Sequence, residues 1–197
     1  MVKINWKLLA QEIQAVFVEG GFWNSDKVVL NYRNTTIILD VSNGNKKYHY
    51  IRTRLICPFI STNEFKFSIS LENAFTFAGK VFGINDIEIG DKKWDNEFYL
   101  KSNDENKLNS FLNSDIIRKY YFDIANYETG GIEIKVTNNQ PFFSLQSISP
   151  YTSWIVLERV GGIINNETLK SWFSLCKFTL DRLIEIGEAE DVNPNIQ

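Results

Sequence analysis

The stretch from Glu167 to Ile186 constrains the fold more than any other part of the chain. Its apolar residues Leu169, Trp172, Phe173, Cys176, Leu180, Leu183 and Ile184 recur every three or four positions, the repeat of one face of an α-helix. Leu175, Phe178 and Ile186 lie off that stripe. A helix so broadly apolar has to be buried on two sides, either between a sheet and another helix or in an interface between copies. Asn166 is placed to cap its N-terminus.

What that helix covers is written earlier in the chain. Lys27–Tyr32, Thr35–Val41, Lys46–Cys57 and Glu64–Leu71 are rich in β-branched and aromatic residues and are separated by Asn34, Asn43-Gly44 and the Pro58 region. The last of them alternates, with Phe65, Phe67, Ile69 and Leu71 on one face and Glu64, Lys66, Ser68 and Ser70 on the other, which predicts one solvated sheet face. Further strands are expected at Asp86–Ile89, Phe98–Lys101, Ile132–Thr137, Phe142–Ile148 and Ser153–Val160. Helical spacing returns at about residues 5–18, stopped by Gly20-Gly21, at Glu72–Phe82, after a capping box at Ser102-Asn103-Asp104-Glu105, and from Ser114 to Thr129-Gly130-Gly131. Hairpin-length connections favour an antiparallel or mixed sheet covered by helices, with N-terminal and long C-terminal amphipathic helices, over a doubly wound parallel sheet. The expected class is α+β.

With 197 residues, 44% of them hydrophobic and 14% aromatic, the chain can bury a full core. A single domain over residues 1–187 is expected, followed by an acidic, frayed tail over 188–197. A net charge of −3 leaves no global surplus of Lys and Arg to meet nucleic-acid phosphates. The first residues are interrupted by charge every few positions, and no run approaches the roughly twenty apolar residues of a membrane span. A cytoplasmic protein without membrane contact is expected. Cys57 and Cys176 read as small buried hydrophobes, and two Cys with one His are too few for a structural zinc site.

Catalytic signatures are sparse. His49 is the sole histidine and sits inside a predicted strand, and no nucleophile elbow, Walker loop or dinucleotide fingerprint is present. No cofactor is expected. Two constellations remain. Asp86, Glu88, Asp91 and Asp95 gather, with Glu97, in one acidic segment that offers oxygen ligands to a hard cation or carboxylates for acid–base work. Its calcium-loop register fails: with Asp86 at position 1, Glu88 and Glu97 fall at 3 and 12, but Gly90 falls at 5 and Asp91 takes position 6, where the turn needs glycine. The competing reading makes Gly90-Asp91-Lys92-Lys93 a turn, with Trp94 and Phe98 plugging the core and Asp95 bonding nearby amides.

The second constellation is the basic, aromatic strand carrying Lys46, Tyr48, Tyr50, Arg52 and Arg54 on one face, a pattern suited to stacking bases and neutralising phosphates. A two-residue turn at Asn43-Gly44 would set Leu39 opposite Tyr48 and Ile37 opposite Tyr50, turning that face toward apolar residues instead. A bulge or three-residue turn would reverse this.

The segment Gly83-x-x-Asp86-Ile87-x-Ile89-Gly90-Asp91-x-x-Trp94-Asp95-x-x-Phe98, followed by Ser102-Asn103-Asp104 and a Leu-rich helix, resembles a widespread set of uncharacterised bacterial domains with a Gly-Asp-x-x-Phe-Asp-x-x-Phe core. The resemblance covers about residues 75–136 and departs in placing Trp94 where Phe is usual. It implies no activity and no catalytic residue. The expected function is therefore non-enzymatic binding, to a protein partner or to another copy of the chain. The alternatives are an immunity-type protein that neutralises a toxin, a carboxylate-based metal-dependent hydrolase, and a binder of single-stranded nucleic acid or another polyanion.

Overall fold

A computed structural model describes residues 2–21, 25–43, 51–71, 87–127, 131–139, 149–163 and 165–195. In chain order its elements are α1 (Val2–Glu12), β1 (Val16–Val18), β2 (Lys27–Tyr32), β3 (Thr35–Asn43), β4 (Ile51–Ser61) and β5 (Phe67–Leu71). They continue with α2 (Lys92–Glu97), β6 (Phe98–Ser102), α3 (Glu105–Leu112), α4 (Asp115–Tyr127), β7 (Ile132–Thr137), β8 (Thr152–Val160), α5 (Asn166–Glu185) and β9 (Ala189–Glu190). The strands form one nine-stranded sheet in the order β1-β2-β3-β4-β8-β7-β5-β6, with β9 pairing β4. Each of these strand ladders is antiparallel. The class is α+β.

Register explains why this sheet buries one face so completely. A single apolar row crosses it from edge to edge: Phe17, Val28, Leu39, Leu55, Leu157, Ile134, Ile69 and Leu100 are successive cross-strand partners. All but Phe17 are buried, and Phe17 packs against the same cluster. At about 1.5–3 kcal/mol for each buried aliphatic side chain, this row is a main source of the sheet's stability. Trp6 and Leu9 of α1, Leu108, Phe111 and Leu112 of α3, Ile117, Tyr121 and Ile124 of α4, and the buried residues of α5 join the same cluster. The broad apolar surface of α5 is accounted for by its neighbours, because it contacts β4, β8 and β9 as well as α1 and α4. Tyr120 and Phe178, with ring centroids 4.5 Å apart, join α4 to α5 off the main stripe.

Several elements differ from expectation for identifiable reasons. The first helix stops at Glu12, where Gln14 adopts a left-handed φ of 57° and Ala15 N–H donates to Ala10 at 2.8 Å. Val16–Val18, whose spacing continued the helical pattern, pairs with β2 instead, as β-branched residues on an edge favour. Pro58, expected to interrupt, lies inside β4 opposite Trp154. It is tolerated because the β3 ladder ends at the Ile38–Ile56 pair, so the missing N–H falls beyond it, while the Pro58 carbonyl accepts from Thr35 Oγ1 at 2.6 Å. Ser68 and Ser70 are buried like their apolar neighbours, so that side of β5 is not solvated. The ladder pairs Asn43 with Ile51, leaving residues 44–50 between the strands, and Leu39 faces Leu55; the two-residue turn is overturned.

Around the acidic segment, the expected turn is the start of helix α2, and residues 87–89 are not a strand, although Ile87 N–H donates to Leu100 at 2.9 Å. The cap of α3 is Asp104, which accepts from Lys107 N–H, whereas Ser102 closes β6 and donates to Lys66. The cap of α5 is Asn165, one residue before the expected position. The tail is not frayed from its start: Glu188 and Ala189 are buried, and β9 pairs Glu190 with Ile60 and Ala189 with Ser61. The expected helix at Glu72–Phe82, the strand at Phe142–Ile148 and the beginning of the Lys46–Cys57 strand lie outside the described residues.

Candidate functional site

The acidic segment is built into a helix start. Gly90, at a φ of 78°, turns the chain so that Asp91 takes the N-cap of α2, where its Oδ1 accepts from Lys93 and Trp94 N–H. Its Oδ2 receives Arg118 Nη1 at 3.0 Å. Asp95 Oδ1 accepts from Ile89 N–H at 2.9 Å, tying the approach to the helix it precedes. Trp94 is fully buried and Phe98 nearly so, their ring centroids 4.5 Å apart. Glu88 is exposed, and Asp86 lies outside the described residues. Among the described residues no three carboxylate, Cys or His groups converge to hold a metal ion.

Of the basic strand, Lys46, Tyr48 and Tyr50, together with His49, lie outside the described residues. Arg52 and Arg54 do share a face of β4, but each already has an acidic partner. Arg54 grips Asp40 with a two-pronged contact, Nε to Oδ1 at 2.9 Å and Nη2 to Oδ2 at 2.7 Å. Arg52 Nη1 reaches Glu158 Oε2 at 3.3 Å. A polyanion would have to displace these carboxylates, which are half-buried or buried.

The pairs belong to a row of charges across the sheet face opposite the apolar row. Asp40, Arg54, Glu158 and Glu133 are successive cross-strand partners on β3, β4, β8 and β7, and Lys135 reaches both glutamates from one step along β7. Three cations and three anions thus interlock when Arg52 is included. Burial pushes the Glu133 carboxyl up; Lys135 opposes this, Glu158 adds to it, and the net is a raised pKa. Burial acts in the same sense on Glu158, but the Lys135 ammonium and the Arg52 guanidinium overcome it and hold that carboxyl below its ordinary range. For Lys135 burial disfavours the charge, while both glutamates hold the proton on. In sequence, Glu133 and Lys135 merely alternate with Ile132, Ile134 and Val136, so nothing local announces that two carboxylates face each other.

Two further features have chemical potential. A polar hollow of about 430 Å³ lies beside the β2–β3 turn, lined by Asn31, Arg33, Thr36, Pro58, Asn193 and Pro194 among others. Strand β1, at one edge of the sheet among the described residues, carries Val16, 61% exposed, and Val18, 44% exposed, and α1 carries the exposed Leu8. Cys57 and Cys176 are buried and free, and burial followed by the adjoining Cys57 thiol pushes the Cys176 thiol well up, the opposite of what a nucleophile needs. Among the described residues no helix is long and apolar enough to cross a membrane. No family model, curated protein or solved structure matches this chain.

Proposed function

We propose that the protein acts by binding protein through the outer edge of β1, and that a second copy of this chain is the partner. The observation that carries this reading is the exposure of Val16 and Val18 on the outermost strand of the sheet. An edge strand with unpaired amides and carbonyls is a template for another strand, and apolar side chains beside it supply the driving force. Val16-Phe17-Val18 reads the same in both directions, so antiparallel pairing about a two-fold axis at Phe17 sets each Val16 opposite a Val18 of the other copy. Three residues of strand offer less than the roughly 1,200 Å² of a stable interface, so the association is weak and concentration-dependent.

Binding rather than catalysis is also supported by the employment of Asp91, Asp95, Arg52 and Arg54 in holding the fold. The likeness of residues 75–136 to uncharacterised bacterial domains fits this reading and imports no activity. A cytoplasmic setting is part of the proposal and rests on the sequence alone. Sedimentation velocity over a wide concentration range tests the self-association. A reversible dimer weakened at least tenfold by Val16→Lys with Val18→Lys is expected; a strict monomer, or a dimer indifferent to both changes, overturns it.

A further inference from the structure

We propose that the hollow beside the β2–β3 turn binds a small neutral polyhydroxylated ligand of the monosaccharide class. The hollow exists because the sheet changes partners there. The β3 ladder along β4 ends at Ile56, and β9 takes up the same strand only at Ile60. Pro58 stands between, with no N–H to offer a neighbour. The C-terminal segment then passes over the gap, so that Asn193 and the buried Pro194 face Asn31, Thr36 and Pro58 across a space of about 430 Å³. That volume falls in the range of small-ligand pockets.

The walls are fixed before any ligand arrives. Arg33 donates from Nε to Asp181 Oδ1 at 2.6 Å and from Nη1 to Asp191 Oδ2 at 2.9 Å, tying the β2–β3 turn to α5 and to the tail. Asn34 Nδ2 donates to the Asp191 carbonyl at 2.9 Å, and Asn193 Oδ1 accepts from Asn195 N–H at 2.8 Å. A ligand therefore meets groups already ordered by the fold, which reduces the entropic cost of binding.

Charge narrows the ligand class. Among the described residues that line the hollow, Arg33 is the sole ionised side chain, and it is held between two carboxylates. An anion finds its attraction already spent on Asp181 and Asp191, while a cation meets a guanidinium first. The other polar side chains among the described lining residues are amides and hydroxyls. Asn31 and Thr36 are direct cross-strand partners, and neither side chain has a hydrogen-bond partner among the described residues. An amide beside a hydroxyl presents donor and acceptor together, which matches vicinal hydroxyls that also do both. The rings of Pro58 and Pro194 supply apolar walls for the C–H face of a sugar.

Saturation-transfer NMR on the full chain with glucose, galactose, mannose and N-acetylglucosamine tests this, with glucose 6-phosphate and glucosamine as charged comparators. At least one neutral sugar is expected to receive saturation and to shift side-chain amide signals of Asn31, Asn34 or Asn193. The variant Asn31→Ala with Thr36→Val is expected to weaken binding roughly tenfold, the scale of one or two lost hydrogen bonds, with an unchanged melting transition because those side chains hold nothing else. Three results overturn the proposal: no transfer to any neutral sugar, tighter binding of the phosphorylated or amino sugar, or undiminished binding by the folded double variant.

Discussion

Glu133 and Glu158 face each other across the β7–β8 pair and share one ammonium, that of Lys135, whose Nζ lies 3.4 Å from the first and 2.5 Å from the second. Like charges in direct register repel, so a sheet accepts them only where a counter-charge reaches both. The carboxyls are thereby driven apart in acidity, Glu133 up and Glu158 down. They differ because the Lys135 ammonium lies closer to Glu158 and because Glu158 also has Arg52.

That divergence predicts a pH profile. A carboxyl whose folded pKa is raised binds more protons in the folded chain, so the stability it contributes is complete below the ordinary glutamate range and is lost as pH rises through the folded value. Glu158, with a lowered pKa, contributes in the opposite sense: its share is present above the ordinary range and is lost as pH falls through the lowered value. Glu133→Gln removes the first contribution and leaves Glu158 its contacts with Lys135 and Arg52. The variant is expected to be at least as stable as the parent at neutral pH and to weaken only on acidification. Urea unfolding over a series of pH values measures this, and a variant that loses stability toward neutrality counts against the assignment.

Asp91 separates a cap from a salt bridge. Asp91→Ala removes an acceptor from two amides and the Arg118 contact together, at a cost of about 1–2 kcal/mol. Asp91→Asn keeps an oxygen for the amides and gives up a partly exposed ion pair worth about 0–1 kcal/mol. The urea midpoint of Asp91→Asn is therefore expected between those of the parent and Asp91→Ala. Equal losses in the two variants would assign the effect to charge rather than to capping.

Trp94 is enclosed by Phe98, Tyr121 and Phe122, with ring centroids 4.5–5.7 Å away, and Lys93 Nζ lies 4.2 Å above the Phe122 ring. Trp94→Ala is expected to cost about 3–5 kcal/mol through lost burial and the cavity left behind. Trp94→Phe keeps most of the ring contact and also removes an indole N–H that is buried without a partner among the described residues. A cost of about 1–2 kcal/mol is expected for Phe, which leaves only part of the indole's space unfilled. Thermal or urea unfolding of both variants decides whether the indole is needed or only its bulk.

How far such features can be read in the sequence depends on how local they are. The spans of β2 and β7 follow from alternation of neighbouring residues, and α5 and the start of α4 follow from spacing within a turn or two, so these are found to within about one residue. Val16–Val18 misleads because Ile13, Val16 and Phe17 satisfy a helical repeat by coincidence, and only pairing with β2 decides otherwise. Pro58 misleads because its position at the end of a ladder depends on where β3 stops. The partners of Arg52 and Arg54 show the same contrast. Asp40 is 14 residues from Arg54 along one hairpin, whereas Glu158 is 106 residues from Arg52, and no local pattern carries a register across that distance.

The tail supplies the last case, because its composition argues for fraying and its contacts argue against it. Glu188 is acidic, yet its side chain is only 6% exposed and its Oε1 receives Lys107 Nζ of α3 at 2.8 Å. Ala189 and Glu190 then cover the end of β4, and Asp191 meets Arg33. Ending the chain after Gly187 removes all three ties, and roughly 2–4 °C of melting temperature is expected to go with each kcal/mol lost. Ending it after Asp191 keeps them, so a far smaller shift is expected. Lys107→Met leaves the Glu188 carboxylate buried without its cation and should reproduce much of the first truncation's loss. Melting curves of the three variants measure this; similar curves for the two truncations would show that the strand pairing and the buried pair contribute nothing to the fold.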